Sequence, residues 1–387
     1  MSVPALYDRR MSGGADVIVV GGGIIGCAVA GELAARGARV RVFEARAVGG
    51  GATHASAGIL APYIEGHDRG PLFDLTLRSL NMYDGFVARA AEGAAVDIDY
   101  RRCGSLEIAS DDVTADAFRR AAGADSGALR WLSTDEARRL EPSLPDSIRG
   151  ALFAASHGYV AVPSLTEALV WAGLRHGAEF ENARHVRSID RHGDRMNVTT
   201  DDGAAWTASH VVIAAGSWSG QLQQDDSAAR AVHPIRGQLL RLTWKGQPLS
   251  HVIWGKDCYV VPWRDGTVLV GATMEDVGFD ERTTAAGVRD LLDAVCELIP
   301  EAWGATFVEA RAGLRPATPD ALPVIGPSPR VEGLIYATGH FRNGVLLAPL
   351  TSAIVSDLIL EDRHDRALAL TAPDRFFGGS RGSSGCA

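Results

Sequence analysis

"DVIVVGGGIIGCAVAGELAARGARVRVFEA", residues 16–45, reads as strand, tight turn, helix and strand. Asp16 to Val20 is a short β-branched run of the kind a parallel sheet buries on both faces. Ile25, Val29 and Leu33 then recur at helical spacing, and Gly37 stands where a helix C-terminus needs a left-handed residue. Val40 and Val42 open a second strand that ends at Glu44. Within this βαβ unit Gly21, Gly23 and Gly26 have the GxGxxG spacing. The first glycine allows the turn, the second lets a pyrophosphate approach the backbone, and the third lets helix and strand pack closely. The helix N-terminus then faces the phosphates. Glu44 is placed to bind a ribose hydroxyl, which disfavours a 2′-phosphate and hence NADP. The fingerprint by itself leaves FAD and NAD open, and it occurs once, so a single dinucleotide is expected.

A chain of 387 residues exceeds one ordinary core, and two domains are expected. Its formal charge of −9 is not gathered into blocks, which argues against nucleic acid or an anionic membrane surface and for a small-molecule partner. Cys27, Cys103, Cys258, Cys296 and Cys386 are odd in number, spread out, and form no CxxC pair, so neither a disulfide framework nor a zinc site is expected. Residues 1–14 lack a signal-peptide apolar run, Met11 is an alternative start, and no stretch reads as a membrane span, so a cytoplasmic location is expected. Residues 1–13 and 376–387 read as flexible ends.

The next segment, "AVGGGATHASAGILAP" (47–62), resembles the flavin-embracing loop of the D-amino acid oxidase superfamily of FAD amine oxidoreductases. Within it the chain is most similar to the glycine oxidase group of the thiamine pathway. Further blocks carry the resemblance: "VVIAAGSWSG", "DCYVVPW", "VLVGATMEDVGF", "RAGLRPATPDALPVIGP" and "YATGHFRNGVLLAP". It implies non-covalent FAD, with Ile24 and Ile25 beside the pyrophosphate and Glu44 and Ala45 at the adenosine ribose. Ala52, Thr53, Ala57, Gly58 and Ile59 would surround the flavin, Val186 would meet the adenine through its backbone, and Gly216 would join the cofactor lining. His340, Phe341, Arg342, Asn343, Gly344, Val345 and Leu346 would line the isoalloxazine. The substrate positions fall on Arg315 and Arg342, with Tyr259 and Met274 as pocket walls. Arg236 and Gln238 are divided between ion pairing and flavin support. Gly313 stands where monomeric sarcosine oxidases carry their flavin on a cysteine, so no covalent link is expected there. Trp254 replaces a smaller aromatic at the entrance.

The chemistry asks for these residue types. An amino acid must be held with its Cα–H toward the flavin, and a planar guanidinium fixes a carboxylate in position and plane better than an ammonium does. Tyr259 can add one hydrogen bond. No His/Asp or Cys/His pair reads as a catalytic base, so positioning is expected to carry most of the work. In "GHFRNGVLLAP" (339–349) the cations Arg342 and His340 precede a helix expected to start around Gly344 to Leu346, against the helix dipole. An anionic flavin and the substrate carboxylate offset that cost, and Pro349 is expected in the first turn, where proline is tolerated.

The resulting expectation is an α/β, two-domain protein of D-amino acid oxidase type. A Rossmann-like FAD-binding domain from 14–90, 155–232 and 320–370 is interleaved with an antiparallel-sheet substrate domain from 91–154 and 233–319. The implied activity is oxidation of glycine, with sarcosine and small D-amino acids as side substrates, by FAD and molecular oxygen. The products are an imine, glyoxylate, ammonia and hydrogen peroxide. The implied role is supply of dehydroglycine to the thiazole synthase of thiamine synthesis, by a homo-oligomer. The alternatives are a D-amino acid or proline-type dehydrogenase passing electrons to a quinone or carrier, an NAD-dependent dehydrogenase, and a flavin-holding subunit with an inert pocket.

Overall fold

The structure is a computed structural model that describes residues 14–65, 69–224, 226, 228–243 and 246–377. Residues 1–13 and 378–387, with Met11 and Cys386, lie outside the described residues. Phe376 and Phe377, expected in a loose tail, instead pack against a hydrophobic cluster behind the first sheet.

β1 (Val17–Val20), α1 (Ile24–Ala35) and β2 (Val40–Phe43) form the expected βαβ unit. β1 lies between β2 and His210–Ile213, parallel to both, in a six-stranded sheet. Leu334–Thr338 continues that sheet in parallel, Val324–Pro327 closes it antiparallel, and Glu179–Glu181 closes the other edge. Ten of the twelve residues of α1 are buried, which is why its sequence is apolar on every side rather than along one stripe. It packs between the sheet and the helices Val162–Arg175 and Gly344–Glu361, and Phe73–Ala91 packs in turn on those two. Gly37, at φ 92°, ends it: the Gly37 amide donates to Ala34 O and the Ala38 amide to Leu33 O.

The helix Gly344–Glu361 corrects two expectations. It is long and apolar enough to span a membrane, at mean hydropathy 1.6, because it is a core helix with 61% of that span buried. Pro349 falls in its second turn, where the missing amide leaves the Val345 carbonyl without its helical partner. Tyr83, fully buried on Phe73–Ala91, supplies the replacement: its hydroxyl donates to Val345 O at 2.8 Å. One turn away along the same helix, Ser79 Oγ accepts from the Leu350 amide at 3.3 Å.

The second large sheet has eight strands, in the order Thr306–Ala317, His233–Thr243, Thr267–Gly271, Tyr259–Pro262, Val252–Trp254, Ser105–Ala109, Gly150–Ala154, Leu129–Leu132. It is antiparallel except where Val252–Trp254 meets Ser105–Ala109. The helices Thr134–Leu140 and Ala285–Leu298 cover its apolar face. Its long strand pair, His233–Thr243 with Thr306–Ala317, runs toward the C-terminal ends of β1 and His210–Ile213. The crevice of an open α/β sheet lies at such strand ends.

Candidate functional site

A cavity of about 530 Å³ opens at that junction. At one end it is lined by Gly21, Gly23, Ile24, Ile25, Glu44 and Ala45, with Val186 beyond them. The glycines are there for steric reasons. A Cβ on Gly21, at φ 111°, would stand 2.4 Å from Ala214 O, and one on Gly26 would stand 1.9 Å from Gly21 O. Gly26 is therefore a packing residue that does not reach the cavity. α1 begins at Gly23 without a side-chain cap and without an acid in its first turn, which leaves its positive end to a ligand. Thr53 Oγ1 accepts from the Ile24 amide at 3.0 Å and docks the 49–58 loop on the helix start. The Glu44 carboxylate is oriented by two amides, accepting from Gly22 N at 2.7 Å and Arg46 N at 2.8 Å. A carboxylate so held keeps acceptor positions for ribose hydroxyls.

At mid-cavity Ala52, Thr53, Ala57, Gly58 and Ile59 face Gly216, Ala337 and Thr338. The residues of this loop are small enough to leave a slot between loop and sheet. Gly58, at φ 71°, packs so closely that a Cβ would meet Val160 O at 1.8 Å. Gly313, where a covalent cysteine was excluded, lies against Ala52 and Ala55. His340, Phe341, Arg342, Gly344 and Val345 complete the wall. Asn343 caps the helix Gly344–Glu361 without a side-chain bond, and Leu346 is buried in the core, so these two stand behind the lining.

His340 is not the cation its sequence position implied. It is fully buried, burial pushes its imidazole down to about 3, and its Nε2 pairs with Thr351 Oγ1 at 3.0 Å. Arg342 is exposed at the cavity rim, its guanidinium 5.7 Å from the Phe341 ring centre.

The other end of the cavity carries Tyr259, Leu314, Arg315 and Pro316. Arg315 Nη1 donates to Thr273 O at 2.9 Å and Arg236 O at 3.3 Å. Two strand glycines, unremarked in the sequence, make room for this pair of polar side chains. A Cβ on Gly237 would lie 2.3 Å from the Arg315 guanidinium, and one on Gly271 would lie 2.5 Å from the Tyr259 hydroxyl. Glycine inside a strand run was the available signal, since it marks close approach of another group. Trp254 stands beside Tyr259, ring centres 5.2 Å apart.

Met274 does not wall this cavity. It is 68% exposed, on a separate surface hollow with His233, Ile235 and Phe341, because the turn after Thr273 carries it outward. Arg236 and Gln238 also stay out of the lining. Arg236 is ion-paired with Glu275 and Asp280, and Gln238 bonds Glu275 and Thr284.

Among the described lining residues are Arg46, Arg184, Arg315 and Arg342 and one acid, Glu44, with Arg46 ion-paired to Glu281 and Arg184 to Glu181 and Asp202 outside the lining. The positive charge of Arg315 and Arg342 suits a carboxylate at their end, and the helix start suits a pyrophosphate at the other. With the uncapped helix starts and the glycine cradle, the residues present fit FAD. Arg46 and Arg184 were missed in the sequence, where nothing distinguishes them from surface residues, and Trp218 was missed although it lies in the block "VVIAAGSWSG".

A family profile described as FAD dependent oxidoreductase matches residues 16–358. A glycine oxidase from Geobacillus kaustophilus is 35% identical over 366 residues, covering 92% of this chain and 95% of that protein. A bifunctional protein named ThiO/ThiG from a Nostoc species is 34% identical over 359 residues, covering 92% of this chain and 54% of its own length. The crystal structure of glycine oxidase from Geobacillus kaustophilus superposes with a TM-score of 0.87 at 34% identity, over 93% of this chain and 98% of that one.

Proposed function

Since the chain belongs to the FAD-dependent oxidoreductase family, as an FAD-dependent amine oxidase, we propose that its substrate is glycine. The Cα–N bond is oxidised to an imine, which water converts to glyoxylate and ammonia. Sarcosine and small D-amino acids belong to the same substrate set. The observation that carries this reading is the convergence of Arg315 and Tyr259 at one end of a cavity whose other end is a nucleotide cradle.

Gly21, Gly23, Ile24 and Ile25 would hold the pyrophosphate, and Glu44, Ala45 and Val186 the adenosine. Ala52, Thr53, Ala57, Gly58, Ile59 and Gly216 would take the flavin from one side, and His340, Phe341, Arg342, Gly344 and Val345 from the other. When bound, FAD would supply the two-electron oxidant, with molecular oxygen as the terminal acceptor and hydrogen peroxide as the product. Arg315 takes the substrate carboxylate and sets its plane, and the Tyr259 hydroxyl donates to the same group. Arg342 adds positive charge at the rim. His340, neutral and paired with Thr351, offers no base. The substrate reacts as its neutral amine, and the residues contribute orientation and water exclusion.

The ThiO/ThiG relative supports a place beside thiazole synthase, with the imine product as the shared compound. Exposed Phe307 and Val308 on the edge strand Thr306–Ala317, with exposed Trp303 just before it, support self-association, which light scattering tests.

The deciding experiment is anaerobic titration of the yellow protein with glycine, sarcosine and D-alanine, followed by air. Bleaching by glycine and fast recovery with peroxide is the expected result. Slow recovery in air with fast reduction of a quinone would make the protein a dehydrogenase, and absence of bleaching by any of the three amines would end the substrate assignment.

A further inference from the structure

We propose that Glu275 is a positioning residue for the carboxylate clamp: it fixes the two backbone carbonyls that hold Arg315. This inference rests on the amino acid reading of the site. Arg315 Nη1 is held by the carbonyls of Thr273 and Arg236. The Thr273 carbonyl belongs to no regular ladder. Arg236 lies on the strand His233–Thr243, but Thr273 and Glu275 lie past the end of Thr267–Gly271, where regular pairing has stopped.

The Glu275 side chain ties this turn down. Its Oε1 accepts from Thr273 Oγ1 at 2.6 Å and from Gln238 Nε2 at 2.7 Å, and its Oε2 accepts from Arg236 Nη2 at 2.6 Å. The backbone closes the net. The Glu275 amide donates to Arg236 O at 3.0 Å, the Arg236 amide to Glu275 O at 2.8 Å, and the Gln238 amide to Thr273 Oγ1 at 2.9 Å. One carboxylate thus binds the side chains of Arg236, Gln238 and Thr273, and two of these residues present the carbonyls that receive Arg315.

The net is anchored from below. Gln238 is fully buried and bonded to both the hydroxyl and the amide of Thr284, the cap of helix Ala285–Leu298. Gly287 on that helix leaves it room, since a Cβ there would lie 2.4 Å from Gln238 Nε2. The Arg236 guanidinium beside Glu275 holds its carboxyl down to about 2, so the net is charged at any working pH. Without the carboxylate the turn is held only by its bonds to the Arg236 and Gln238 backbone, and the Thr273 carbonyl can shift. Arg315 then keeps its charge but loses its fixed plane, which is what a bidentate carboxylate partner reads.

Glu275→Gln preserves size and removes the charge. In the FAD-loaded protein we expect KM for glycine to rise about tenfold with kcat within about twofold, the pattern of lost binding rather than lost chemistry. Acetate, a carboxylate without an amine, should perturb the flavin absorbance of the wild type. Its affinity should fall in Glu275→Gln by the same factor as KM rises, while FAD affinity, read by fluorescence, stays unchanged. Thr273→Val keeps the carbonyl but cuts its hydroxyl's tie to Glu275, and should show a smaller selective loss even if Glu275→Gln is insoluble. Unchanged acetate affinity in both variants, or an acetate loss matched by FAD loss, overturns the proposal. If glycine never bleaches the wild type while acetate binds and weakens in both variants, the substrate reading fails and the positioning role stands. Failure of acetate to bind the wild type overturns both.

Discussion

Tyr83→Phe isolates the hydrogen bond that repairs the helix Gly344–Glu361. In the wild type the Val345 carbonyl, deprived of an amide by Pro349, receives the Tyr83 hydroxyl at 2.8 Å in a fully buried setting. Removing the hydroxyl leaves a buried acceptor unsatisfied, which costs about 2 kcal/mol within the range of 1–3. With about 2.1 cal/mol/K per residue and 387 residues, the unfolding entropy is about 0.8 kcal/mol/K, so the midpoint should fall by about 2.5 °C. Pro349→Ala supplies the missing amide, and in that background the carbonyl no longer depends on Tyr83. The same Tyr83→Phe change should then cost about 0.5 kcal/mol, a coupling of about 1.5 kcal/mol in a double-mutant cycle. The assay is thermal unfolding of all four proteins in a fixed excess of FAD, so that ligand stabilisation is constant. Equal costs in both backgrounds would refute the reasoning, because the hydroxyl would then be acting elsewhere than on the acceptor orphaned by the proline.

Gly237→Ala should displace the Arg315 guanidinium, the flexible end of a side chain, and so impair function more than folding. Glycine KM should rise about tenfold or more, from loss of a charge-assisted bond worth about 1.5–3 kcal/mol, with the melting midpoint nearly unchanged. A normal KM would show that Arg315 does not hold the carboxylate. His340 supplies a pH test. Its folded-state value, about 3, lies below the ordinary 6.5, so between these values the unfolded chain binds a proton that the folded chain does not. Its contribution is complete above 6.5 and is lost as pH falls toward 3, about 2 kcal/mol of it by pH 5. His340→Gln should flatten the fall in melting midpoint between pH 7 and 5; an unaltered slope would contradict a neutral buried ring.

The sequence carried the fold because its strongest signals are local. The GxGxxG turn, the helical spacing of Ile25, Val29 and Leu33, and Gly37 each act within a few residues, and the structure uses all of them as read. Arg315 and Tyr259 were legible as residue types, and the structure brings them to one cavity. What the sequence could not show is where a turn sends its side chains: Met274 lies one residue after Thr273, yet points to solvent. Long-range compensation was equally hidden. Pro349 read as harmless by its nearness to a helix start, and the residue that makes it so, Tyr83, is 266 positions earlier in the chain. The charge of His340 depends on burial by segments far from it, so no local rule could have found it neutral.

The cavity wall is drawn from five separated stretches, within 20–59 and 184–222, at 259, and within 314–316 and 337–345. During synthesis the first of these emerges early with its phosphate turn complete, but the opposite wall does not yet exist. The strand Leu334–Thr338, which flanks His210–Ile213, and the helix start at Gly344 come last among these stretches. A complete cofactor cradle therefore waits for the ribosome to pass this segment. A chain interrupted before it would expose the apolar α1 and an unpaired strand edge, which marks it for chaperones and proteases, whereas a finished chain is sealed by the same cofactor that makes it active.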